Sequence, residues 1–151
     1  MNAQSVSPVW HVYVRKGIAY VPNTAQAEAG FFLDVEPVRV ATLDDIQSLA
    51  VAIEQAMSSG NPRVPTPTRA DYSKPLILKD AGVKTWKAFE RIGACFTILG
   101  RDEITLFESG RDQSGAWVDD PALTETLPVT TSALDLAKRI AERSRRRDDL
   151  A

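Results

Sequence analysis

Cysteine and histidine are almost missing from this chain: Cys95 and His11 are the single representatives among 151 residues. One cysteine cannot close an intramolecular disulfide, and one histidine removes two-histidine metal sites and leaves Cys–His chemistry no spare candidate. His11 follows Trp10 in an extended segment and reads as a structural or surface residue. Cys95, in Ala94-Cys95-Phe96-Thr97-Ile98-Leu99, reads as a small apolar core residue, which fits a reducing compartment. Glycine is sparse, with eight in all, and no segment carries the glycine spacing of a dinucleotide or Walker loop. The nearest cluster, Gly110 with Gly115, reads as a flexible turn. Long hydrophobic runs are also absent: none approaches the ~18 apolar residues of a membrane span. Met1 to Pro8 lacks the basic start and apolar run of a signal peptide, so the cytoplasm is the expected location.

What is present is ordinary for a globular protein, with 44% hydrophobic and 25% charged residues. A single domain over residues 1–151 is expected, large enough to bury roughly 68–70% of its unfolded surface without a staple. The net charge of −2 hides a segregation. Residues 61–100 carry seven basic and three acidic side chains (+4), whereas residues 101–130 carry two basic and seven acidic (−5). Such blocks produce surface patches of both signs unless folding interleaves them.

Trp10 to Pro22 reads as a β-hairpin, with strands Val12 to Arg15 and Ile18 to Val21. Lys16-Gly17 forms its two-residue turn, which places Arg15 opposite Ile18, Val14 opposite Ala19, Tyr13 opposite Tyr20 and Val12 opposite Val21. Phe31 to Glu36 alternates as a half-buried strand, with Asp34 and Glu36 on its polar side. Pro37, lacking an amide proton, interrupts it or holds it at a sheet edge. Thr42 is the expected cap of a helix whose apolar face is Ile46, Leu49, Ala50, Ile53 and Met57, ended by Gly60 and Pro62. Asn61 to Pro75 holds four prolines and is expected as a long irregular loop, of the kind that is often functional. Val83, Trp86 and Phe89 share one face of a short helix within Val83 to Arg91. Cys95 to Leu99 and Ile104 to Glu108 form a second hairpin. Asp112 to Pro128 is expected to be mostly irregular, with Trp117-Val118 adding a short strand. A last helix, capped by Thr131 or Ser132, presents Leu134, Ala137, Ile140 and Ala141 before residues 143–151 fray. The expected class is α+β, an antiparallel sheet of about five to six strands packed against two to three helices.

Chemistry is left to carboxylates. Asp102, Glu103, Asp112, Asp119 and Asp120 would suffice for a cation or an acid–base pair if they converged, but adjacent residues on a strand point to opposite faces and no spacing enforces it. The C-terminal arginines fall in a last helical turn, where cations complement the helix dipole. Asp148 and Asp149 follow them and the chain is acidic, with a pI of about 5.4; nucleic acid is therefore a poor expected partner.

Three strings carry a resemblance: Val12-Tyr13-Val14 with Gly17-Ile18-Ala19-Tyr20-Val21-Pro22; Gly60-Asn61-Pro62 with Val64-Pro65; and Gly82-Val83-Lys84-Thr85-Trp86 with Phe89. Together they resemble bacterial immunity proteins of contact-dependent growth inhibition toxin systems. The resemblance implies a non-enzymatic cytoplasmic protein that binds one toxin domain and blocks its active site, without cofactor or metal. It brings no site pattern. From charge, the expected toxin-binding residues are Asp102, Glu103, Asp112, Asp119 and Asp120 around Trp117, since acidic clusters steer association with basic nuclease clefts and tryptophans anchor interfaces. A small carboxylate-dependent enzyme and an adaptor docking through Asn61 to Pro75 are the alternatives.

Overall fold

The computed structural model describes residues 7–68, 76–100, 102–114, 116–118 and 120–146. Strand β1 (Val9–Arg15) and strand β2 (Ile18–Ala27) meet at Lys16 and Gly17, whose φ values of 52° and 76° are those of a primed hairpin turn. Tyr13 stands opposite Tyr20, Val14 opposite Ala19 and Arg15 opposite Ile18, the register that a two-residue turn requires. Strand β3 (Phe32–Thr42) pairs antiparallel with β2 and forms one edge of the sheet. Its register shifts where Pro22 meets Val38 and Asn23 meets Val35, so Glu36 and Pro37 lie in an irregularity on the edge strand. Proline's missing donor is harmless there.

Helix α1 (Ile46–Ser58) starts later than the sequence pattern suggests. Thr42 ends β3 opposite Ile18, and the backbone amide of Leu43 donates to the carbonyl of Gly17 at 2.9 Å, so the chain is still extended there. The cap is Asp45: its carboxylate accepts from the Ser48 amide at 3.1 Å and from the Ser48 hydroxyl at 2.7 Å, which holds the carboxyl below its usual range. Gly60, with φ 65°, turns the chain out of the helix.

The expected irregular loop begins with order. Strand β4 (Arg63–Val64) pairs parallel with Gln26 and Ala27 of β2, and residues 69–75 lie outside the described residues. Helix α2 (Ile77–Ala81) and helix α3 (Trp86–Arg91) follow; Thr85 caps α3 by accepting from the Ala88 amide at 3.1 Å. Strands β5 (Gly93–Gly100) and β6 (Glu103–Glu108) form the second hairpin. A separate ribbon joins β7 (Gly110–Arg111) to β8 (Trp117–Val118). After a 3-10 turn at Pro121–Leu123, strand β9 (Thr124–Pro128) pairs with β6 where irregular chain was expected. Helix α4 (Ala133–Arg145), capped by Ser132, closes the fold.

The main sheet has the order β3-β2-β1-β5-β6-β9, with β4 added beside β2. The α+β class holds, with seven strands in this sheet and four α-helices among the described residues, more than the expected counts. One sheet face, including Val12, Val14, Phe96, Ile98 and Leu106, is sealed by Leu49 and Ile53 of α1 and by Leu136 and Ile140 of α4. The opposite face carries a smaller core of Tyr13 and Tyr20 under Ile77, Leu78 and Phe89.

The last helix does not fray from residue 143. Arg143 lies between Glu108 at 3.2 Å and Glu125 at 2.6 Å, and Arg139 also pairs with Glu125, so α4 is tied to β6 and β9 through its final turns. Residues 147–151 lie outside the described residues. No helix among the described residues is long and apolar enough to cross a membrane.

Candidate functional site

The sheet face opposite α1 and α4 is only partly covered, and its covered part is aromatic. Tyr13 meets Trp86 and Phe89 edge-on with ring centroids 5.7 and 6.3 Å apart, and Trp117 approaches Trp86 edge-on at 5.2 Å. Edge-to-face geometry sets positive ring edges against negative ring faces. Trp117 is pinned further. Its indole Nε1 donates to the Gly93 carbonyl at 3.0 Å and its amide donates to the Glu90 carboxylate at 3.1 Å. Arg111 donates to the same Gly93 carbonyl at 2.6 Å and to the Glu90 carbonyl at 2.5 Å. The β7–β8 ribbon is thereby fastened to the end of α3 and the start of β5.

Beside this fastened ribbon lies a cleft of about 420 Å³. Cys95 and Thr97 of β5 and Phe107 of β6 line its floor, and Trp117, Val118 and Asp120 form the ribbon-side wall. Val118 is 40% exposed, an apolar side chain at the rim. Asp120 uses one carboxylate oxygen to accept from the Ala122 amide at 3.0 Å, capping the 3-10 turn. Cys95 is a floor residue rather than a nucleophile: burial above all, and then the charge of Asp34, pushes its thiol up to about 12.

A polar group stands on the same sheet face. Asp34 was expected on the solvent side of its strand; instead its carboxylate accepts from the Tyr13 hydroxyl and meets His11 Nδ1 at 2.8 Å. With a carboxylate as acceptor, the ring hydrogen belongs on Nδ1. The Tyr13 hydroxyl is raised well above its ordinary range by burial first and then by Cys95 and Asp34, so it remains a donor. His11 is thus a structural residue with a fixed partner. Among the described residues, no three of His, Cys, Asp and Glu gather as metal ligands.

No protein-family profile matches this chain, and no curated protein sequence does. Its fold recurs among solved structures, two of which align with nearly the whole chain. One is a chain of the CdiA-CT/CdiI toxin and immunity complex from Yersinia pseudotuberculosis, with a TM-score of 0.63 and 15% identity, covering 91% of this chain and 96% of that one. The other is a protein of unknown function from Neisseria meningitidis, with a TM-score of 0.60 and 14% identity, covering 89% of this chain and 93% of that one.

The structure divides the residues singled out by charge. Trp117 and Asp120 line the cleft, and Asp112 sits in the turn of the adjoining ribbon. There Asp112 accepts from the Ser114 amide at 2.8 Å, the Ser114 hydroxyl at 2.6 Å and the Ala116 amide at 3.1 Å. Asp119 lies outside the described residues. Asp102 and Glu103 are exposed at the opposite end of β6, whose six residues span roughly 17 Å at about 3.4 Å each. The described carboxylates therefore do not converge. Sequence reasoning missed Thr97, Phe107 and Val118. The alternation of Phe107 with the buried Leu106 and Glu108 was the available signal for the first two, through the register of Thr97 opposite Phe107.

Proposed function

We propose that this chain is a non-enzymatic immunity protein that binds a cognate toxin domain and blocks its active site, and that the toxin is a nuclease acting in the cytoplasm. One observation carries the reading: a fold shared over nearly the whole of both chains with a member of a toxin and immunity complex. The scattered carboxylates and the tied-up single histidine favour the inhibitory role over the toxic one. The docking surface in this reading is the cleft beside the ribbon. Asp112, Asp119 and Asp120 would meet basic residues of the toxin, Trp117 and Val118 would supply apolar contact, and Asp102 with Glu103 would form a distant acidic rim.

The reading predicts a toxin gene directly upstream, and the test is co-expression with the toxin domain it encodes. Growth should be restored by the wild type and lost again with Asp112→Lys and Asp120→Lys together, which also lowers the melting temperature because both carboxylates hold turns, and with Val118→Lys at the exposed rim, where the melting temperature should stay unchanged. Growth arrest by this chain alone, or killing that it does not relieve, would defeat the reading. Nuclease assays on the purified toxin separate a blocked active site from binding elsewhere.

A further inference from the structure

The outer surface of α2 and α3 carries more positive charge than its own carboxylates balance. Lys79, Lys84, Lys87 and Arg91 are all exposed, and among the described residues none of them forms an ion pair. The contrast with α4 is direct, because Arg139, Arg143 and Arg146 each hold a glutamate. Lys87 and Arg91 are four apart on one short helix, a spacing at which like charges repel. The inner side of α3 is meanwhile committed to the aromatic core through Trp86 and Phe89. The four cations outnumber the two carboxylates of this surface, Asp80 and Glu90, and Glu90 is engaged by the Trp117 amide, so a net positive charge faces outward.

We propose that this α2–α3 surface is a second docking patch, which binds an acidic patch on the toxin domain while the neighbouring cleft binds a basic one. The inference rests on the immunity reading and adds the partner's charge pattern to it. Position supports it: the ribbon that walls the cleft is fastened at Glu90 to the C-terminal end of α3, next to Arg91. Among the described residues the negative pole is the ribbon pair Asp112 and Asp120, since Glu108 and Glu125 face α4 and Asp102 and Glu103 lie at the far end of β6. A protein surface fits better than nucleic acid. A polyanion reaching these cations would also meet the repulsion of the acidic cleft and of a chain whose net charge is −2. A bipolar partner is attracted at both poles and is oriented before contact.

The experiment measures association of the toxin domain with the full chain and with Lys84→Glu, Lys87→Glu, Arg91→Glu combined, at low salt and at about 0.5 M salt, where charges more than about 4 Å apart are screened. The expected result is an association rate at least about tenfold slower for the variant at low salt, converging with the wild type at high salt, and an unchanged melting temperature. If the triple variant is unstable, Lys87→Glu and Arg91→Glu singly should each slow association about threefold. Wild-type binding with no slowing in the variants overturns this inference alone. Absence of wild-type binding overturns the immunity reading and this inference together. Capture of a DNA or RNA oligonucleotide by the wild type, lost in the variant, overturns the protein-partner assignment.

Discussion

Replacing Asn61 should weaken the fold far more than its place beside a proline suggests. Strands β1 and β2 pair at the hairpin end, from Tyr13 opposite Tyr20 to Arg15 opposite Ile18, and continuing that register would set Val9 opposite Thr24. At that open end the Asn61 side chain bridges the two strands. Its Oδ1 accepts from the Val9 amide at 2.9 Å, and its Nδ2 donates to the Val9 carbonyl at 2.8 Å and to the Thr24 carbonyl at 3.0 Å. One side-chain amide thus stands in for a missing rung of the ladder. With about 1 kcal/mol net for each of three inter-strand hydrogen bonds, Asn61→Ala should cost about 3 kcal/mol, or roughly 6–12 °C in Tm for a chain of this size. Asn61→Asp keeps the shape but turns a carboxylate oxygen toward two carbonyls. It should be at least as damaging at pH 7. The repulsion raises the new carboxyl's pKa in the folded state, so its penalty should shrink as the pH falls and the protonated oxygen becomes a donor. Urea unfolding followed by circular dichroism at pH 7 and pH 4.5 gives both numbers, each read against the wild type at the same pH. A loss below about 0.5 kcal/mol for Asn61→Ala, or an Asn61→Asp penalty that does not change with pH, would refute the bridging role.

Three further expectations follow from packing and charge. Gly93→Ala builds a Cβ 2.8 Å from the Phe89 carbonyl oxygen and 2.9 Å from that of Val14, both backbone, so the strain should fall at or above the top of the usual ~1–3 kcal/mol for overpacking; thermal melts that match the wild type would contradict it. Arg143→Met leaves Glu108, 5% exposed, without this ion pair and should cost about 3 kcal/mol at pH 7 in urea unfolding. Glu125 is held below its usual range chiefly by its hydrogen bond from Arg143. Its stabilisation is present above the unfolded-state value near ~4.3 and disappears as pH falls through the lower folded value; a stability profile between pH 5 and 2 should be flatter for Arg143→Met than for the wild type. Cys95, with its thiol pushed up to about 12, should react with a thiol reagent at pH 8 much more slowly in the native protein than after denaturation, and equal rates would contradict the raised value.

The elements that were legible in the sequence are those whose cause is local. Lys16-Gly17 sets a two-residue turn by backbone conformation alone, so the register of the first hairpin follows from it. Ser132 caps the last helix by accepting from the amide three residues on, and the apolar faces of α1 and α4 recur at helical spacing. What was hidden depends on partners distant in the chain. Strand β9 shows one buried apolar residue, Leu127, because Glu125 points toward α4 to meet Arg139 and Arg143; the alternation that marks a strand is filled there by an ion pair. Asp34 has the outward character of any charged strand residue until Tyr13 and His11, more than twenty positions earlier, supply its partners. The same reasoning governs the site. A run of acidic residues suggested one cluster, but strand length separates Asp102 and Glu103 from Asp112 and Asp120, and the ribbon is located by Arg111 and Trp117 gripping Gly93 and Glu90. Carboxylates spread along a surface at such spacings cannot share a proton or a cation, but they can meet separate positive groups on a partner. Under the immunity reading proposed above, that spacing makes charge-reversal binding kinetics the informative assay for this chain.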